Sequence, residues 1–266
     1  MDNIINFGYL IAITFFVMGI KKLGRVKTAK QGNTLAAWGM FFAVVLTVVN
    51  MDIVTWDQVI GFAFVGAAIG IYASRTVAMT GMPQLVPLFN GFGGLASALV
   101  AVSYFFQNFS NPASAIVDLG GSGSMIVVFI TILIGAVTLT GSYIAFAKLD
   151  GRMNGSPIVF KGQHFLNAVI FILILGFIIM TSSGSYPVDS TNLYIFIGLT
   201  LILGIAITIP IGGADMPVVI ALLNSYSGMA ASAAGFILLM DGNIGGTILI
   251  VSGALVGASG LILTNI

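Results

Sequence analysis

The chain has 266 residues, of which 58% are hydrophobic and only 6% charged, with a formal net charge of +1 and a mean hydropathy of +1.12. A soluble domain carries about 25% charged residues, so a soluble globular fold is excluded, and the near-neutral balance excludes nucleic acid as a partner. Cysteine is absent, which removes disulfides, thiolate metal sites and cysteine nucleophiles.

A membrane-spanning helix needs about 20 apolar residues. The hydropathy pattern predicts spans at 4–20, 34–51, 58–74, 84–106, 124–147, 163–181, 192–209, 216–239 and 244–264. The stretch Asp2–Gly19 has no basic n-region and no small-residue cleavage site, so it reads as the first span rather than a leader. Polar punctuation separates the spans at Lys21–Asn33, Asp52–Asp57, Asn108–Gly123, Asp150–Gly162, Ser182–Ser190 and Asp241–Asn243. The expected fold is an all-α integral membrane protein of about nine transmembrane helices, one transmembrane domain over residues 1–266 surrounded by lipid. Its 34 glycines suit helices that approach closely in a bilayer.

All nine Lys and Arg fall in alternate connections: Lys21, Lys22, Arg25, Lys27 and Lys30 after span one, Arg75 after span three, and Lys148, Arg152 and Lys161 after span five. The opposite set holds Asp52, Asp57, Asp118, Asp189 and Asp241 and no base. By the positive-inside rule the N-terminus is expected outside and the C-terminus in the cytoplasm. Span nine closes without a basic flank or a polar cap. The expectation is a chain cut from a longer one whose next segment begins in the cytoplasm.

Two segments match at an offset of 134, from Met82 to Met216. Each opens Met-Pro, and each has Asn seven residues after Pro (Asn90, Asn224), then an aromatic (Phe92, Tyr226), Gly (Gly94, Gly228) and Ala (Ala96, Ala230) at matching positions. The copies lie four spans apart and run in the same direction, which predicts a parallel repeat about an axis along the membrane normal. Proline suits the first helical turn, where its missing N–H costs no bond. The two Asn then lie roughly 10 Å into their spans at 1.5 Å per residue. A carboxamide there needs a neighbouring helix or water, because an unpaired one in hydrocarbon costs several kcal/mol. Pro87 departs from the repeat and is expected to kink span four.

Span five carries Thr131, Gly135, Thr138 and Ser142 along one face, with Ser142 at a depth comparable to the two Asn. On span nine, Gly253 and Gly257 form a close-packing pair. Each of these residues also has an ordinary reading. Asn can simply join helices, and Ser or Thr can bond back to its own helix. His164 is expected at the interface and solvated. Asp215, just before Met216-Pro217, is either an N-cap carboxylate or a group at the mouth of a path. No metal constellation, catalytic triad or nucleotide-binding Gly motif occurs.

The segments Gly81–Pro87 and Gly213–Val219, with Leu223-Asn224-Ser225-Tyr226-Ser227-Gly228, resemble the β subunit of proton-translocating nicotinamide nucleotide transhydrogenase. Thr140-Gly141-Ser142 and Gly253–Gly260 are similar to that family too, and the resemblance covers essentially the whole chain. It implies a proton-conducting membrane domain coupled to hydride transfer between NAD(H) and NADP(H) held in peripheral domains. The NADP(H)-binding domain is expected downstream and no cofactor is expected on this piece. The expected partners are α-type subunits carrying the NAD(H) domain and extra membrane helices. A homodimer of the complex in the inner, or plasma, membrane is expected as well.

By the same resemblance Asn224 lines the proton path with Ser142 near it, and Asp215 marks the cytoplasmic end. The position of Asn90 often carries His in relatives. Asn does not titrate near neutral pH, so the titrating His is expected on another helix, in a partner. A secondary transporter for a small solute is the rival reading, since parallel repeats with polar groups near the midplane suit carriers too.

Overall fold

The computed structural model describes residues 2–50, 56–109, 122–184 and 189–264. Every long element among them is an α-helix, and nine helices are long and apolar enough to cross a membrane. They are α1 (Asp2–Leu23), α2 (Ala29–Asn50), α3 (Trp56–Thr76), α4 (Met82–Phe109), α5 (Ser122–Leu149), α6 (Gln163–Ser182), α7 (Ser190–Thr208), α8 (Met216–Met240) and α9 (Gly246–Thr264). The protein is therefore an all-helical, multi-span membrane protein, as its hydropathy predicts. Asp52 and Asp118 lie outside the described residues, so the acidic side of the charge argument rests structurally on Asp57, Asp189 and Asp241.

The chain forms two compact units, residues 1–85 and 86–266. In the first, α1 and α2 make a tight hairpin. Helix α2 begins at Ala29, earlier than hydropathy suggests, and Gly19 and Gly32 let the two backbones meet at the basic end. A Cβ at Gly32 would lie 2.7 Å from the Gly19 carbonyl oxygen. Tyr9, Ala12 and Ala43 are buried between the two helices. The Tyr9 hydroxyl lies 3.3 Å from Thr47 Oγ1. Helix α3 has no buried residue among those described.

The second unit is built around α5, the span with the largest buried share among the described helices. Phe129 of α5 meets Phe177 of α6 and Phe196 of α7 with ring centroids 5.4 and 4.9 Å apart. Edge-on aromatic contacts of this kind contribute about 0.5–1.5 kcal/mol beyond the buried area. Ile174, Leu193 and Ile237 complete the core. Helices α8 and α9 pack backbone on backbone. A Cβ at Gly228 would lie 2.5 Å from Gly257 N and 2.6 Å from Gly253 O.

The repeat reappears in the backbone. A 3-10 turn, Met79–Gly81, leads into α4, and a second, Gly213–Asp215, leads into α8. Both offsets are again 134 (213 − 79 and 216 − 82). Helix α4 stays helical through Pro87. Pro87 leaves the Pro83 carbonyl without its usual intrahelical donor.

Candidate functional site

The two 3-10 turns and their Met-Pro starts place Asn90 and Asn224 at equivalent depths on α4 and α8. Asn90 is 7% exposed, and its Nδ2 donates to the backbone carbonyl of Ile220 on α8 at 3.3 Å. Asn224 follows Ile220 by one turn. At about 100° per residue, positions 220, 224 and 227 share one face of α8. The same face meets α4 again further along, where a Cβ at Gly93 would lie 2.7 Å from Ser227 Oγ. Asn224 therefore stands on the α4-facing side of α8, between two points of contact. It is half-buried, and its side chain makes no hydrogen bond among the described residues.

Helix α5 closes the third side. A Cβ at Gly91 would lie 3.2 Å from Ser142 Cβ, and one at Gly94 would lie 2.8 Å from both Gly135 O and Thr138 Cβ. Ser142 is fully buried, and its Oγ has no hydrogen-bond partner among the described residues. Its two predicted companions behave differently. Thr131 Oγ1 donates to Val127 O at 2.7 Å and Thr138 Oγ1 to Ile134 O at 2.6 Å. Both are satisfied within α5, so the polar face narrows to Ser142. A buried hydroxyl with no partner costs about 1–3 kcal/mol, a penalty that one bridging water removes.

Asp215 ends the 3-10 turn before α8. It is exposed and holds the N-cap position of α8, where its charge suits the helix dipole, though its side chain makes no capping bond. Nine residues separate it from Asn224, about 13 Å along a helix, which places it at the end of α8 rather than beside the two carboxamides. Gly253 and Gly257 meet α8 at Gly228, one turn beyond Asn224. Ser225, the residue after Asn224, donates to Gly257 O at 2.7 Å. The α9 contact is thus bonded directly to the segment that carries Asn224. His164 lies at the exposed start of α6, as expected.

Lys148 carries a role that sequence reasoning missed. The charge pattern counts it as one positive charge among nine, yet it is only 5% exposed. Its Nζ donates to Ile209 O at 2.6 Å, Ile211 O at 2.7 Å and Ser156 O at 3.3 Å. No carboxylate pairs with it among the described residues. A cation beyond the C-terminal end of α7 is favoured by that helix's dipole. The ammonium ties the α5–α6 connection to the α7–α8 connection, and Gly213 N donating to Gly155 O at 2.8 Å adds a second tie. The only available signal was its position, in the last turn of a span just before a Gly-rich connection.

A family model for the NAD(P) transhydrogenase beta subunit matches residues 5–266. The NAD(P) transhydrogenase subunit beta of Rhodospirillum rubrum is 36% identical over 261 residues, which cover 97% of this chain and 53% of the relative. A second sequence from a strain of the same organism matches with the same figures. The chain spans about half the length of the curated relatives it matches.

Proposed function

Because this chain belongs to the NAD(P) transhydrogenase beta-subunit family, we propose that it is the proton-conducting membrane domain of such an enzyme. It would couple proton movement across the bilayer to hydride transfer between NAD(H) and NADP(H) bound elsewhere. The observation that carries this reading is the convergence of Asn90, Ser142 and Asn224 where α4, α5 and α8 meet. They provide a bonded carboxamide, a carboxamide without a partner and a buried hydroxyl without a partner.

The chemistry of the three groups assigns their work. A carboxamide does not titrate, so Asn90 and Asn224 hold and orient water rather than bind the proton. The Ser142 hydroxyl both donates and accepts, which lets a proton pass along a water file beside it. The titrating group is a His from an α-type partner subunit packed near Asn90. Asp215 stands at the cytoplasmic mouth, facing the nucleotide domain, with the N-terminus outside. Gly253 and Gly257 pass a change around Asn224 to α9, beyond which the NADP(H)-binding domain follows. Both nucleotides would be held in peripheral domains rather than on this chain. The complex would be a homodimer in the inner, or plasma, membrane. Family membership does not favour a small-solute carrier.

The test uses the full-length chain with its partner subunits, sealed in liposomes with NADPH and an NAD analogue while lumenal pH is followed. A hydride-linked pH change that collapses in Asn224→Leu supports a path through Asn224. No pH change in the wild type, with intact vesicles and active hydride transfer, rejects proton coupling.

A further inference from the structure

The α1–α2 hairpin ends in a basic hollow that the proton path leaves unused. Lys22 in the last turn of α1, Lys27 in the connection and Lys30 at the start of α2 line an open concavity of about 540 Å³ together with Gln31, Thr34 and Leu35. Lys21 and Arg25 add two positive charges within the same ten residues, and no acidic residue occurs between 3 and 51. Lys22 Nζ donates to Gln31 Oε1 at 3.1 Å, so its charge is held at the hairpin end with a neutral partner. Helix α2 has no acidic side chain in its first turn, which leaves the positive end of its dipole uncompensated at the same place. Crowded like charges of this kind favour an anion seated among them.

The hollow continues into an apolar strip. Positions 31, 34, 35, 38 and 42 follow one face of α2, and the last two are Trp38 and Phe42, 52% and 38% exposed. Their rings lie 6.1 Å apart, and Phe42 is 5.9 Å from Phe15 of α1. The exposed face therefore runs from three lysines, through Thr34 and Leu35, to aromatic rings deeper in the span. A free inorganic anion would engage only the basic end. The full sequence of surfaces matches a molecule with an anionic head and long apolar tails.

We propose that the α1–α2 hairpin binds an anionic glycerophospholipid. Its phosphate lies among Lys22, Lys27 and Lys30, and an acyl chain runs along Leu35, Trp38 and Phe42. The site belongs wholly to residues 1–85 and does not depend on the assignment of the proton path.

The full-length chain, purified with its partner subunits in mild detergent, is exchanged with phosphatidylglycerol or phosphatidylcholine, and retained lipid is counted by native mass spectrometry. The wild type should retain phosphatidylglycerol selectively. The combined substitution Lys22→Gln, Lys27→Gln, Lys30→Gln should lower that retention about tenfold or more, Trp38→Ala should lower it with the lysines intact, and Lys161→Gln should leave it unchanged. Should the triple variant fail to fold, high salt applied to the wild type should give the same loss of selectivity. Equal retention in the triple variant, or retention indifferent to salt, overturns the site. Displacement by inorganic phosphate together with no effect of Trp38→Ala makes it a free-phosphate site and overturns the lipid.

Discussion

Asn90 on α4 gives its amide hydrogen to the carbonyl oxygen of Ile220 on α8, 3.3 Å away, so a side chain in one half of the repeat bonds to the backbone of the other half. In a regular helix the Ile220 oxygen also accepts from the amide of Asn224. The two Asn are thereby joined through one carbonyl. Replacing Asn90 with Leu should cost about 1 kcal/mol of stability, the usual net value of one hydrogen bond. It should also slow the proton-linked pH change in liposomes. Thermal unfolding of the purified complex measures the first effect and lumenal pH the second.

Ser142→Ala should separate stability from transport. The hydroxyl makes no bond among the described residues, so its removal breaks no hydrogen bond within the protein and should not lower stability. If the hydroxyl passes protons through water, the coupled rate falls in the same variant. A loss of stability would mean that Ser142 is part of the packing, not of the path.

The α8–α9 seam should tolerate no side chain. A Cβ at Gly253 would run into Gly228 O and would lie 2.6 Å from Ser232 N. Gly253→Ala should therefore cost about 1–3 kcal/mol through overpacking. Gly176→Ala on α6 is the control. Nothing lies within 4 Å of a Cβ there, so the substitution should gain up to about 1 kcal/mol from helix propensity. Chemical unfolding of the two variants side by side gives the comparison.

Lys148→Met should loosen the two connections that its ammonium holds. Hydrogen bonds from a charged donor contribute about 1.5–3 kcal/mol, and three carbonyls lose their donor together. Cleavage by a protease within 150–162 should accelerate, while Lys148→Arg should restore at least part of the protection. Unchanged cleavage in Lys148→Met would show that the backbone bond from Gly213 to Gly155 holds the connections unaided.

The absence of cysteine makes orientation directly measurable. Arg152→Cys, in the connection after α5, should react with an impermeant thiol reagent from the cytoplasmic side. Asn243→Cys, in the turn before α9, should react from the opposite side. Labelling of both from one side would contradict the orientation derived from the basic residues.

The spans were legible because hydropathy and length are properties of a single segment. The repeat was legible because Met-Pro followed seven residues later by Asn is an unusual spelling to meet twice. Which helices touch was not, since a glycine such as Gly94 announces a close approach without naming Gly135 as what approaches. Spacing puts the polar residues of span five on one face but cannot rank them. Thr131 and Thr138 turn back to their own helix and Ser142 does not, a difference set by local packing. Lys148 was hidden for the same reason. Its three acceptors come from two connections distant in the chain, and the charge pattern alone placed it with solvated neighbours such as Lys161.

The seam between α8 and α9 is made largely of main chain, with Gly228, Gly235, Gly246, Gly253 and Gly257 at the contact. Long side chains that change rotamer can absorb a shift between helices, as springs take up play between two rods. Glycines have none to turn. A small axial slide of α8 therefore reaches α9 nearly undiminished, and the pair behaves mechanically as one stiff rod with two strands.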